Sequence, residues 1–180
     1  HPDFEAFVAT IAALRAPDGC PWDREQTHSS IAHNMIEEAY EAVDAIEALA
    51  SAEDAVEAAP DSGSGSPSED PRVAASDRAR AATPDRVRAV AHLREELGDV
   101  LLQVVLQGQI AEDAGEFTID DVCADINAKM IRRHPHVFGS ASADDASAVL
   151  GLWEQVKLAE KEAADDAADA AGGAREGLLD

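Results

Sequence analysis

The stretch Ile36–Ala45, IEEAYEAVDA, places three glutamates, Glu37, Glu38 and Glu41, inside an apolar helical run. Met35, Ile36, Ala39, Tyr40, Val43 and Ile46 recur at the spacing of a helix that buries one face. Glu38 and Glu41 stand at i, i+3 and Glu37 and Glu41 at i, i+4, so these side chains share one surface. A second run, LREELGDVLLQVV (Leu93–Val105), repeats the pattern with Glu95, Glu96 and Asp99. Its stripe is Leu93, Leu97, Val100, Leu101 and Val104. Beyond Asp99 it is apolar nearly all round, through Leu102, Val105 and Leu106, which predicts a helix at the centre of a bundle. The expected fold class is all-α.

Clustered carboxylates repel one another, so the arrangement is unfavourable without a cation. Mg²⁺ is a hard ion that takes oxygen ligands at about 2.0–2.1 Å and keeps waters and phosphates in its shell. Two helices that each offer a pair of acids can hold one or two such ions. The competing reading is a solvated face, the common situation for exposed acids. Against it, the acids on both helices border the deepest apolar runs of the chain. Periodicity leaves open whether Glu95 or Glu96 works with Asp99, since the two spacings are i, i+4 and i, i+3.

A length of 180 residues predicts one domain with enough chain to bury a core. The formal net charge is −23, from 37 acids against 14 lysines and arginines. That balance argues against nucleic-acid or anionic-membrane partners. Aromatic residues make up only 4 %, and alanine is abundant, which suits helices. Cys20 and Cys123 form no C-x-x-C motif and no disulfide framework, consistent with a reduced, cytoplasmic setting. No apolar run has the length of a membrane span, and no signal peptide is evident. The chain begins at His1 rather than Met, which reads as a trimmed start.

Phe4, Phe7, Val8, Ile11 and Leu14 form the stripe of a first amphipathic helix over Phe4–Arg15. Ala16–Asp23 is a loop marked by two prolines and Asp18-Gly19. Trp22 in that loop reads most simply as a core plug, with a place against a ligand as the alternative. Thr27 or Ser29 caps the next helix, expected to end near Ala50. Residues 51–88, with APDSGSGSPSEDPR at their heart, are expected to form a disordered insertion loop, because so polar a composition cannot offset chain entropy. Ala89–Ala114 is a helix ended by Gly115, and Ile119–Arg133 a third core helix. Lys129, Arg132 and Arg133 close that helix. They are either favourable charge at a helix C-terminus or a clamp for phosphate oxygens. Leu150–Lys161 is a last helix in which Trp153 and Lys157 stand at i, i+4, readable as a core tryptophan with a snorkelling lysine. Residues 163–180 are expected to be a flexible tail.

The E-E-x-x-E and E-x-x-D pair resembles the signature of the all-α nucleoside triphosphate pyrophosphohydrolases, and the chain looks like the MazG branch. LRAPDGCPWDREQTH (Leu14–His28), KMIRRHPHVFG (Lys129–Gly139) and WEQVKLAEK (Trp153–Lys161) are similar to MazG segments and come in the MazG order. The resemblance covers roughly 120 of the 180 residues. It implies a four- or five-helix MazG-like bundle over residues 1–50 and 89–162, completed by homodimerisation. It implies hydrolysis of a nucleoside triphosphate between the α and β phosphates, giving monophosphate and pyrophosphate, with broad base specificity and a housekeeping role in the nucleotide pool. On the matching positions, Glu38, Glu41, Glu96 and Asp99 would hold Mg²⁺, with Mn²⁺ able to substitute. Glu37 would orient water or act as general base. Lys129 and Arg133 would take phosphate charge, Trp153 and Lys157 would reach the substrate, and Trp22 would lie beside the nucleotide. The chain departs from the pattern in the 54 residues that separate Glu41 from Glu96. A di-iron carboxylate bundle is disfavoured, since it needs E-x-x-H on two helices and neither motif supplies the histidine. A non-catalytic helical interaction module is the alternative from another class.

Overall fold

The computed structural model describes residues 1–58 and 83–176, with side chains described through residue 55 and over 83–162. The helices are α1 (Pro2–Arg15), α2 (Pro21–Glu25), α3 (Ala32–Ala58), α4 (Pro84–Ala114), α5 (Ile119–Arg133), α6 (Pro135–Phe138) and α7 (Ala146–Glu176). Among the described residues there is no strand, so the fold class is all-α. The described residues group into two compact units, one within His1–Thr118 and one from Ile119 onward.

The first unit is built on an antiparallel hairpin of α3 and α4. Arg86 of α4 pairs with Glu53 of α3 at 3.1 Å near the connecting end. At the other end His28, just before α3, hydrogen-bonds through Nδ1 with Gln107 of α4, and Gln107 donates to the His28 carbonyl at 3.2 Å. Between helices the buried residues are small on one side: Ala42 and Ala45 of α3, with Ile31 just ahead of it. Val105, Leu106, Ile110 and Ala111 of α4 are buried as well. Alanine on the facing stripe lets helix axes come close, because interaxial distance follows the side chains at the contact.

This stripe corrects the expected one. Ile36, Tyr40, Val43 and Ile46 of α3 are exposed, Tyr40 by 69 %, and so are Leu97, Leu101 and Val104 of α4. Each helix therefore has an inner face and an outer apolar face; the inner face of α3 is of alanine, that of α4 carries Val105, Leu106 and Ile110, and large residues remain on both outer faces. Periodicity weighs large residues most, so it selects the outer face. The bounds differ too. α3 continues past Ala50 to Ala58 through an alanine- and acid-rich segment of good helix formers. α4 starts at Pro84, where Thr83 accepts a hydrogen bond from the Arg86 amide at 3.3 Å, proline occupies the first helical position and Asp85 the first turn. The rest of the expected insertion loop, residues 59–82, lies outside the described residues.

α1 presents most of its expected stripe, with Ile11 buried and Phe4, Phe7 and Val8 half-buried, while Leu14 at its end is exposed. It packs on α2 and α4. Arg15 ties the three together. Its side chain is 8 % exposed and its Nε donates to Asp113 of α4 at 2.7 Å. Its Nη1 donates to the carbonyls of Asp23 and Gln26, at the end of α2. The loop before α2 turns tightly enough that a Cβ on Gly19 would lie 2.3 Å from the Ala13 carbonyl oxygen. Trp22 follows on α2 and is 58 % exposed, so it is not the core plug expected of it. Thr27 and Ser30 exchange backbone-to-hydroxyl hydrogen bonds ahead of α3, the Thr27 amide to Ser30 Oγ and the Ser30 amide to Thr27 Oγ1. Gly115 closes α4 with a φ of 72°, the left-handed conformation that favours glycine at that position.

In the second unit α5 is not the core helix expected. Of its apolar stripe only Ile119 is buried, while Cys123, Ile126 and Ile131 are exposed. α5 is instead fastened to α7 by charge. Glu160 receives Arg133 at 2.7 Å and Arg132 at 2.9 Å. Asp145 caps α7 by accepting from the Ala148 amide at 2.8 Å. The helix runs on to Glu176, past Ala163 where a flexible tail is expected, because alanine is the strongest helix former. Residues 177–180 lie outside the described residues. No described helix is long and apolar enough to cross a membrane.

Arg15 supplies a testable link between these elements. Hydrogen bonds to a charged group contribute about 1.5–3 kcal/mol each, and their loss leaves two carbonyls to find water. Arg15→Ala is expected to lower unfolding free energy in urea by about 2 kcal/mol. Arg15→Lys should recover less than half of that, since lysine cannot reproduce the planar fork.

Candidate metal centre

Hairpin register brings acids of the two motifs together. One carboxylate oxygen from each of Glu38, Glu41 and Glu96 lies within 4.8 Å of the other two. Glu38 and Glu41 share a face of α3 and Glu96 meets them from α4. Glu96 is buried, its side chain 9 % exposed, Glu38 is half-buried and Glu41 exposed. Glu95 is exposed, and of the two acids that spacing left open it is Glu96 whose oxygen gathers with those of Glu38 and Glu41.

The surroundings of Glu96 are poor in donors. His92 Nδ1 stands 3.1 Å from Glu96 Oε1, and Oε2 is buried with no hydrogen-bond partner. Burial pushes the Glu96 carboxyl above the usual carboxylate range; the charge of His92 opposes the shift, and Glu41, Asp99 and Glu95 add to it. Glu38 is raised as well, by burial first, then by the charges of Asp99, Glu41, Glu96 and Glu37. Asp99 is outside the trio of converging oxygens, but its charge acts on Glu38 more than any other. Glu37 is exposed and pairs with His33 at 3.5 Å on the same helix. A buried carboxylate oxygen without a donor, beside two further acids, is chemically fitted to a hard divalent cation. His92 was not among the candidates from sequence; its signal is the i, i+4 spacing to Glu96.

The expected phosphate-facing residues are in the second unit. Arg133 is 15 % exposed, bonded to Glu160, and its guanidinium lies 5.4 Å from the centre of the Trp153 ring. Hydrogen bonding by Arg133 holds the Glu160 carboxyl below its ordinary range. The charge of Arg133 is thus already met within the unit. Trp153 Nε1 is buried without a partner. Lys157 is exposed, with Glu154 at a loose 3.9 Å, and shares an open groove with Arg133, Leu158 and Lys161. Lys129 lines a different groove, along α5 with Asp125 and Arg132. The structure therefore gathers Arg133, Trp153 and Lys157 and sets Lys129 apart from them.

Comparison with known proteins is decisive at this point: residues 26–138 match the MazG nucleotide pyrophosphohydrolase domain. The chain belongs to the MazG family. It is 42 % identical over 161 residues to the uncharacterized protein YabN of Bacillus subtilis, covering 89 % of this chain and 25 % of that protein. It is 38 % identical over 158 residues to the nucleoside triphosphate pyrophosphohydrolase/pyrophosphatase MazG of Thermotoga maritima, covering 88 % of this chain and 45 % of the relative. Against the nucleoside triphosphate pyrophosphohydrolase of Escherichia coli K12 the identity is 40 %, over 87 % of this chain and 45 % of that one. The chain thus spans from a quarter to just under half of these relatives' lengths. The MazG match contains the α3–α4 hairpin, α5 and α6; Trp153 and Lys157 fall beyond it.

The raised carboxyls of this MazG hairpin give a pH dependence. A carboxyl whose folded pKa lies above its unfolded value costs stability once pH exceeds the unfolded value, and the cost is relieved on acidification. In metal-free protein, Tm is expected to rise as pH falls from neutral toward the carboxylate range. Glu160 runs the other way, since its folded pKa is depressed and its contribution is lost at still lower pH. Glu96→Gln should flatten the rise above the carboxylate range, measured by thermal melts across pH.

Proposed function

We propose that the chain is a Mg²⁺-dependent hydrolase that cleaves nucleoside triphosphates between the α and β phosphates, releasing monophosphate and pyrophosphate. In this reading it accepts several bases and serves nucleotide-pool housekeeping in the cytoplasm. The observations that carry the reading are the convergence of Glu38, Glu41 and Glu96 and the burial of the Glu96 carboxylate, one of whose oxygens has no hydrogen-bond partner. The names of the Thermotoga and Escherichia relatives support it.

Glu38, Glu41, Glu96 and Asp99 would hold the ion. When bound, Mg²⁺ supplies positive charge for the phosphate oxygens and lowers the pKa of a coordinated water. A triphosphate carries about four negative charges, so an acidic site cannot receive it without such neutralisation. Glu37, exposed on the same helix and paired only loosely with His33, is the acid left to accept a proton from attacking water. Lys129 and Lys157 are the lysines assigned to phosphate oxygens, and Trp22 and Trp153 the rings assigned to the nucleotide. Arg133, held by Glu160, would act on phosphate only by exchanging that carboxylate for a substrate oxygen.

The outer faces of α3 and α4 support a homodimer. Ile36, Tyr40, Val43 and Ile46 on α3 and Leu97, Leu101 and Val104 on α4 are exposed at helical spacing. A second copy that covered them would withdraw apolar surface worth about 25 cal/mol per Å².

Two measurements test the proposal. Glu41→Gln and Asp99→Asn should each abolish pyrophosphate release from nucleoside triphosphates while leaving far-ultraviolet circular dichroism intact; wild-type rates in both would end the metal assignment. Val43→Glu combined with Leu101→Glu should convert a dimer into a monomer by analytical ultracentrifugation, and an unchanged mass would mean that another surface joins the copies.

A further inference from the structure

We infer that His92 is a positioning residue for Glu96: its imidazole holds one carboxylate oxygen and leaves the other as the oxygen offered to a divalent cation. The inference deepens the metal reading of the acids and rests on it. Three observations carry it. His92 Nδ1 stands 3.1 Å from Glu96 Oε1, while Oε2 is buried and has no partner. The converging oxygens belong to Glu38, Glu41 and Glu96, and His92 is not one of the groups that gather there, although imidazole is an able ligand. The two residues are one turn apart on a long helix, which keeps them on one face in fixed register.

A glutamate has several rotatable bonds, and orienting it costs entropy when an ion binds. A ring nitrogen that already fixes one oxygen removes part of that cost, because the carboxylate meets the ion in a settled orientation. Donors behind a ligating carboxylate commonly act in this way. α3 contains an internal contrast. His33 and Glu37 have the same i, i+4 spacing, but both are exposed, 3.5 Å apart, and Glu37 is outside the converging trio. Only the His92 pair ends on a buried acid of the cluster.

The test is Mn²⁺ binding to the purified full chain without nucleotide, followed by electron paramagnetic resonance, with helix content checked for each variant. Wild type should bind and Glu96→Gln should not; equal behaviour of those two would sink the metal reading itself. Given wild-type binding, His92→Phe is expected to weaken it about 10- to 100-fold. His92→Asn, whose amide nitrogen sits near the place of Nδ1, should recover most of that loss. His33→Phe should bind as wild type does. The role of His92 is overturned if His92→Phe binds normally, if His92→Asn is as weak as His92→Phe, or if His33→Phe is equally impaired.

Discussion

Packing α3 against α4 drives the Glu96 carboxylate out of water and up against two acids of the facing helix. Everything else in the first unit can be understood around that cost. The hairpin ends are secured by ordinary means, the Glu53–Arg86 pair at one and the His28–Gln107 exchange at the other. The middle is where apolar burial stops and charge begins. Alanines 42 and 45 bring the helices close, and the same closeness puts Glu38 and Glu41 within reach of Glu96. Small residues in this stripe thus do two things at once: they fill the interface and set the spacing of the acids.

The second unit solves a different problem. α5 has a thin apolar stripe that is largely uncovered, so its attachment to α7 relies on Glu160 taking both Arg132 and Arg133. Arg133 also lies over the Trp153 ring. A half-buried, carboxylate-bound arginine is a poor free cation but a good strut. Lysines 129 and 157 are more loosely engaged, and lysine is the side chain whose charge moves most readily to a new partner.

Helix class, the acidic motifs and the Gly115 stop were legible in sequence because each depends on neighbours within a turn. The choice between the two apolar faces was not. Ile36, Tyr40 and Val43 carry far larger apolar side chains than Ala42 and Ala45, yet the alanines face the hairpin partner. Thr83-Pro84-Asp85 held a complete helix-start signal that the neighbouring polar composition masked. The His92 spacing to Glu96 is local, but spacing alone does not tell that Glu96 is the acid buried against the facing helix. Contacts such as Arg15–Asp113 and Arg133–Glu160 join residues far apart in the chain and leave no local trace.

The length of α3 and α4 has one more implication. At a rise of about 1.5 Å per residue, the end of α3 at Ala58 is about 25 Å along the axis from Glu41, and Pro84 about 18 Å from Glu96. The chain leaves and re-enters the hairpin at its tip, remote from the acids. Evolution could lengthen, shorten or exchange the connector there without re-tuning the carboxylates, which makes the tip a natural graft site for a reporter or a tether in this scaffold.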